Sequence, residues 1–490
     1  MSPPESGVKV RMYNPGFGDC FLLAFRKDNG EPYYMLIDCG VHHQYSGGSA
    51  RIKKVAENIL AATNQHIDTV VITHEHTDHL YGFKYARDIF ENIEIDNLWL
   101  SWAENPDDQA AKKIKDEFGI KIKALQATIQ VLDKVDKSFS NLLQDVLDFE
   151  LVEELAATGG KAEQLLYLKD KVKNKLVRPE DYLNPGEEIS LPFLSDYKFY
   201  ILGPPKNLTR LKELETESEL YFKSSRLNEQ IAFASAAIAF STNKKLKTEN
   251  KDLFDLSCPF DDSHKISISE AETLDFFKEY NKKALKWRQI DIDWLYSAEE
   301  LALDINNYTN NTSLVIAIEL LNTVPTKTIL FPGDAQTGNW LSWHDMSWEN
   351  DDCEEKQLKA KDLLEKCVLY KVGHHGSHNA TLKEKGLELM TSSDLVAMIP
   401  VDEMWAKADG REWEHPDPKI LKRLEEKTKG RIFRSDQIPK TDQKPPKPDA
   451  FTDEDWEGIL KNIKWDPSGK QLWIEYTVLG KPLGTNSPGQ

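Results

Sequence analysis

Four potential metal ligands stand close together in the stretch Thr73-His74-Glu75-His76-Thr77-Asp78-His79-Leu80. Neutral imidazole suits zinc, iron, nickel or copper, and a carboxylate adds charge and oxygen character. One ion cannot readily take all four side chains from so short a segment. The spacing suits two ions side by side, with His74 and His76 on one and Asp78 and His79 on the other. Two such cations, roughly 3.5–4 Å apart, can share a water and lower its pKa toward about 7. The resulting hydroxide attacks phosphorus or a carbonyl carbon, and Asp78 would orient it as well as bind metal. No Gly-x-Ser-x-Gly elbow or P-loop offers a competing chemistry.

Ligands so close in sequence need a rigid element to aim them. The apolar, β-branched run 68–72 reads as a buried strand that ends where the motif begins. Upstream, 8–13, 21–25 and 33–37 read as an antiparallel meander, with Asn14-Pro15-Gly16-Phe17-Gly18-Asp19 as a turn. Residues 50–63 have helical spacing, and 97–100 read as the next strand. His42 and His43 fall in a Gly/Ser-rich loop and are expected to be exposed. Residues 1–104 thus form the first half of a domain. The composition then shifts: 105–180 reads as a helical insertion with amphipathic helices at 110–135 and 161–177. Residues 181–205 return to the core sheet, and 206–310 read as a second, mostly helical insertion carrying His264. Strands at 313–319, 328–331, 368–372 and 395–400, with a helix starting near Lys419, build the second half over 311–435. Residues 436–490 read as a linker, with an extended Pro/Lys stretch at 439–448, then a last strand at 471–476 and a tail.

The bulk numbers narrow the setting. The chain has 490 residues and 40% hydrophobic content, enough for one large domain with insertions. No apolar run approaches the roughly eighteen residues of a membrane span, and no secretory leader is visible at the start. Five widely spaced cysteines, with no Cys-x-x-Cys, read as free thiols in a reducing cytosol. The expected location is cytoplasmic, with no membrane partner. The net charge of −19 repels polyanions and counts against loose nucleic-acid binding. It leaves room for a local basic groove, for which Lys244-Lys245-Leu246-Lys247 and Lys282-Lys283-Ala284-Leu285-Lys286-Trp287-Arg288 are the candidates.

The His-x-His-x-Asp-His stretch resembles the signature of the metallo-β-lactamase superfamily. More of the chain is similar to its ComEC-type branch, associated with competence DNA uptake, whose relatives include a phosphorylcholine esterase. The matching pieces are Gly16-Phe17-Gly18-Asp19-Cys20, Leu36-Ile37-Asp38-Cys39-Gly40, Leu202-Gly203-Pro204-Pro205, Asn311-Thr312-Ser313-Leu314-Val315, Phe331-Pro332-Gly333-Asp334-Ala335, Tyr370-Lys371-Val372-Gly373-His374-His375-Gly376-Ser377 and His415-Pro416, in the family's order. The fold this resemblance implies is an α/β αββα sandwich carrying the two helical insertions.

The resemblance also implies roles. Asp334 would bridge two ions with its two oxygens. His375, with His374 as rival, would join Asp78 and His79 on the second ion. Asp38 would orient ligands or water from the second shell, and Ser377 and His378 are further supporting or substrate groups. His374 and His415 are the candidates for phosphate contact or proton transfer. A third-region histidine is not evident: Gly203 stands where one might be, and His264 is the substitute. The expected cofactors are two divalent metal ions. His-rich ligation favours zinc, with manganese or iron left open. The expected activity is that of a dinuclear metal-dependent hydrolase, a phosphodiesterase or nuclease using a metal-bridging hydroxide. The alternatives are a hydrolase of a small substrate (nucleotide, phosphocholine ester, lactone or thioester), or a protein whose helical insertions bind a protein partner.

Overall fold

Alternation decides where the side chains of the opening strands point. In a strand, successive residues face opposite sides. In Cys20–Arg26, Phe21, Leu23 and Phe25 enter one apolar core, while Cys20, Leu22 and Ala24 enter another. Both sets are buried, so both faces of the strand are covered. The computed structural model describes residues 1–132, 137, 140–141, 143–144, 161–213, 266–280, 282, 305, 307–349, 357–408 and 413–480.

The strands are β1 (Gly7–Tyr13), β2 (Cys20–Arg26), β3 (Pro32–Cys39), β4 (His66–Val71), β5 (Glu94–Trp99), β6 (Glu188–Ile189), β7 (Tyr197–Gly203), β8 (Val315–Leu320), β9 (Lys327–Phe331), β10 (Ser347–Trp348), β11 (Leu358–Lys359), β12 (Cys367–Lys371), β13 (Val396–Ile399), β14 (Ile432–Arg434), β15 (Ile463–Trp465) and β16 (Trp473–Leu479). One seven-stranded sheet has the order β15-β16-β1-β2-β3-β4-β5, and another has β14-β13-β12-β9-β8-β7-β6. β10 and β11 form a small separate ribbon. The opening meander is antiparallel. β3, β4 and β5 are parallel neighbours, as are β9, β12, β13 and β14.

Three apolar cores define the layers. The central one joins inward residues of both sheets, with Phe21 against Phe331 (5.5 Å between ring centroids) and Phe25 against Tyr197 (5.0 Å). A second lies between the first sheet and helix Gly48–Ala62, which contributes Ile52, Val55 and Ile59. A third lies between the second sheet and helices Thr337–Trp343, Ala360–Glu365 and Pro418–Thr428. The order is therefore helix, sheet, sheet, helix: the αββα sandwich. Phe25 is fully buried among Tyr33, Tyr197 and Phe199. Phe25→Ala should cost about 3–5 kcal/mol, read as a lower urea midpoint with an unchanged slope.

The chain divides into two units. The first comprises Met1–Lys112, Ala156–Lys223 and Tyr308–Gln490, and holds the sandwich; the second comprises Lys113–Leu155 and Ser224–Asn307. In the second, the described residues include most of helix Gln109–Leu132, with Ile122, Leu125 and Ile129 buried, and the short helices Ile268–Ala271 and Asp275–Tyr280. Helix Lys161–Lys171 stops before the expected 177, because residues 172–177 turn away and the amides of Lys173 and Asn174 bond Ile95 and Asp96 of β5. Most of the expected second insertion, with His264, Lys244–Lys247 and nearly all of the 282–288 run, lies outside the described residues. No helix among the described residues is long and apolar enough to cross a membrane.

Candidate metal centre

The motif residues sit where parallel strands end. β3 closes on Asp38, β4 leads into Thr73 and His74, β9 into Asp334, and β12 into His374 and His375. All four are carboxyl ends, where open α/β sheets gather their functional groups. Asp78 and His79 lie on the one-turn helix Thr77–Leu80. Its backbone rests directly on Gly40, where a Cβ would stand 2.1 Å from the Asp78 carbonyl carbon.

Asp78, His79, Asp334 and His375 form one buried group whose ligand atoms lie within 4.8 Å of one another, a group that could hold a metal ion. His375 Nε2 meets Asp78 Oδ2 at 2.8 Å, and its Nδ1 donates to the Pro400 carbonyl at 2.6 Å. That second bond fixes which nitrogen faces the cluster. His79 Nδ1 bonds Asp38 Oδ2 at 2.8 Å, which turns Nε2 toward Asp334 Oδ2 at 3.2 Å. Asp38 also accepts from the Thr73 amide (2.8 Å) and hydroxyl (2.7 Å), and takes φ of 54°, a left-handed conformation uncommon for a non-glycine residue.

The fit to a cation rests on orphaned atoms. Asp78 Oδ1, His79 Nε2 and Asp334 Oδ2 are buried without a hydrogen-bond partner. Buried polar atoms are costly to leave unpaired; three from one group, all good donors to a metal, fit an ion that takes up their lone pairs. Asp38→Asn keeps the shape and removes a charge from His79. It should weaken zinc binding about 10–100-fold with the fold retained, measured by competition with a chelating dye.

Charge inside the cluster is tightly balanced. Burial lowers the His79 pKa, but Asp334, Asp19, Asp78 and Asp38 outweigh it and hold the ring well above its ordinary value. Burial raises Asp334, yet His79 and Lys371 bring it well below the usual carboxylate range. Asp78 is likewise lowered, against burial, by His79 and His375.

The other expected residues are placed differently. His74 and His76 bond each other, Nε2 to Nδ1 at 2.9 Å, and His74 Nδ1 faces the Thr73 and Ser313 hydroxyls at 3.1 and 3.3 Å. The His74 ring lies 4.1 Å from that of His79, so the pair adjoins the four-residue group. His374 stands outside that group, with its ring 6.0 Å from His375 and 5.5 Å from His415. Burial holds both His374 and His415 below their ordinary pKa, His415 at about 4. Ser377 donates its hydroxyl to Asn379 at 3.2 Å. Gly203 packs on Asn339, which fills the space a side chain there would need.

Two expectations are corrected. His42 is buried, because its ring packs against Phe17, Trp405 and Trp413. Asp334 does not have both oxygens free: Oδ1 accepts from the His374 amide (2.8 Å) and from Lys371 Nζ (3.1 Å). Lys371 and Asp19 are site residues that sequence reasoning passed over. They sat in the matching motifs, but nothing in the spacing joined them. A further group, His66, Asp68 and Asp96, lies apart and is bonded into ion pairs with Lys27 and Lys173.

A sequence-family model described as the metallo-beta-lactamase superfamily matches residues 13–171. That span contains Asp19, Asp38 and the whole His-x-His-x-Asp-His stretch, and the two-sheet sandwich agrees with the fold of that superfamily. The match suggests a metal-dependent hydrolase. No curated protein and no solved structure matches the chain.

Proposed function

We propose that the chain is a metal-dependent phosphodiesterase, with nucleic acid the first substrate class to test. The observation that carries the reading is the buried quartet Asp78, His79, Asp334 and His375, with unpartnered atoms turned toward one another at the carboxyl ends of the strands. In this reading His74 and His76 hold a second ion beside it, with zinc favoured and manganese or iron as the alternatives. A divalent cation held there supplies Lewis acidity toward a phosphoryl oxygen and toward attacking water.

The chain's own groups do the rest. Asp78 and Asp334, both kept ionised, set the negative charge that draws cations in. Asp38 and the Pro400 carbonyl hold His79 and His375 in one orientation. His374 and His415 are uncharged at neutral pH, so each can donate one N–H hydrogen bond to a phosphoryl oxygen. An anionic phosphodiester beside them raises their pKa and turns them toward donating a proton to the leaving oxygen. The odd number and wide spacing of the five cysteines keep a cytoplasmic setting as part of this reading.

The net charge of −19 favours a second reading, a hydrolase of small substrates such as nucleotides or phosphocholine esters. A partner-binding role for the helical insertions is the third. Hydrolysis of single- and double-stranded DNA, RNA and bis-p-nitrophenyl phosphate by metal-loaded protein separates them. Asp78→Ala and His375→Ala serve as controls. Polymer cleavage lost in both variants supports the nuclease reading. Turnover of the small ester alone moves the substrate to small phosphodiesters. No turnover with metal bound removes the phosphodiesterase reading.

A further inference from the structure

Lys371 ends β12 inside the protein, 2% exposed, beside Asp19 and Asp334, each 1% exposed. An ammonium has three donors and no acceptor. Here three acceptors surround it: Asp19 Oδ2 at 2.5 Å, the Gly333 carbonyl at 2.7 Å and Asp334 Oδ1 at 3.1 Å. Its donors are saturated. Asp334 Oδ1 also accepts the His374 amide at 2.8 Å. Its two lone pairs are therefore taken by protein donors, while Oδ2 makes no hydrogen bond and faces His79 Nε2 at 3.2 Å.

We propose that Lys371, anchored by Asp19, is a positioning residue that commits one oxygen of Asp334 to the protein, so that Asp334 offers a bound metal a single oxygen. The proposal rests on the reading of the quartet as a metal centre. One oxygen can serve one ion or be shared by two, but the carboxylate cannot chelate an ion with both oxygens or span two ions with one oxygen each. The geometry explains why a full positive charge is buried at the edge of a site meant for cations. Without it, Asp334 Oδ1 keeps only the His374 amide and has a lone pair open to an ion, so the carboxylate can close on an ion with both oxygens, which changes the coordination number and the place of the ion.

The test is the visible absorption of the protein loaded with cobalt(II), whose intensity follows coordination number. Wild type, Lys371→Met, Asp19→Asn and the Lys371→Met/Asp19→Asn double variant are compared, with phosphodiester kinetics alongside. Lys371→Met should lower the band as a second carboxylate oxygen joins and the geometry changes, and lower kcat about 10–100-fold with little change in KM. Asp19→Asn, which keeps the ammonium, should retain the wild-type band. If Lys371→Met does not fold because Asp19 is left unpaired, the double variant removes both charges and should show the same lowered band. A wild-type band left unchanged in the lysine variants overturns the role of Lys371 and leaves the metal centre standing. Absence of any band in the wild type overturns both.

Discussion

Replacing Asp334 by alanine is expected to lower hydrolysis at least about 1,000-fold, some 4 kcal/mol of lost transition-state stabilisation, and to abolish uptake of metal at the quartet. The carboxylate faces His79 at 3.2 Å, holds the His374 amide and meets Lys371. It is also the strongest of the four carboxylates that hold His79 protonated against burial. A metal must displace that proton. In the wild type, affinity should therefore be weak at low pH and rise as the pH climbs through the raised His79 pKa. Calorimetry in buffers of different ionisation enthalpy should show proton release at pH 7, and little heat of any kind in Asp334→Ala. Undiminished binding in that variant would place the metal elsewhere.

Gly40→Ala should be nearly as damaging without touching a ligand. A methyl group there would lie 2.1 Å from the Asp78 carbonyl carbon and 2.2 Å from the His79 amide nitrogen. Both are backbone atoms, so the turn carrying Asp78 and His79 must move. A Cβ at Gly18 would crowd the same carbonyl, 2.8 Å from the Asp78 oxygen, and that oxygen accepts the Asp19 amide. The loop has no room on either side. We expect metal affinity to fall more than about 100-fold and folding stability to fall by about 1–3 kcal/mol. Melting with zinc and with chelator reads both effects: the wild type gains stability from zinc and the variant does not. Gly458→Ala is the matched control. It lies in helix Asp453–Leu460 with open space around its Cβ, and should be neutral or stabilising by up to about 1 kcal/mol.

These two residues also mark what the sequence could and could not reveal. His74, His76, Asp78 and His79 were legible because a single tight turn carries them, and local spacing is enough to suggest a shared task. The meander of β1 to β3 was legible from alternation. Asp334 and His375 needed a resemblance to known motifs, since nothing local joins them to residue 78. Asp19 and Lys371 are the instructive misses. Each stands alone in the sequence, and their pairing exists only once β12 is brought beside the first turn of the chain. His42 was misjudged for a similar reason. A Gly/Ser-rich loop predicts exposure, but Trp405 and Trp413 arrive from far along the chain to cover it. Local pattern fixes which face of an element is apolar; it does not say which distant ring or charge will meet it.

The pairing of β1 with β16 runs from Gly7 opposite Leu479 to Tyr13 opposite Trp473. It places the first strand described beside the last one described, far along the chain. A chain still emerging from the ribosome has its meander early, yet one side of β1 stays an open template until residues 473–479 are released. Unpaired edges of this kind recruit other strands, and contacts so distant in sequence form slowly. The sheet that carries Asp38 and the histidine turn therefore closes only after residues 473–479 have been made, and the growing chain depends on whatever shields that edge in the meantime.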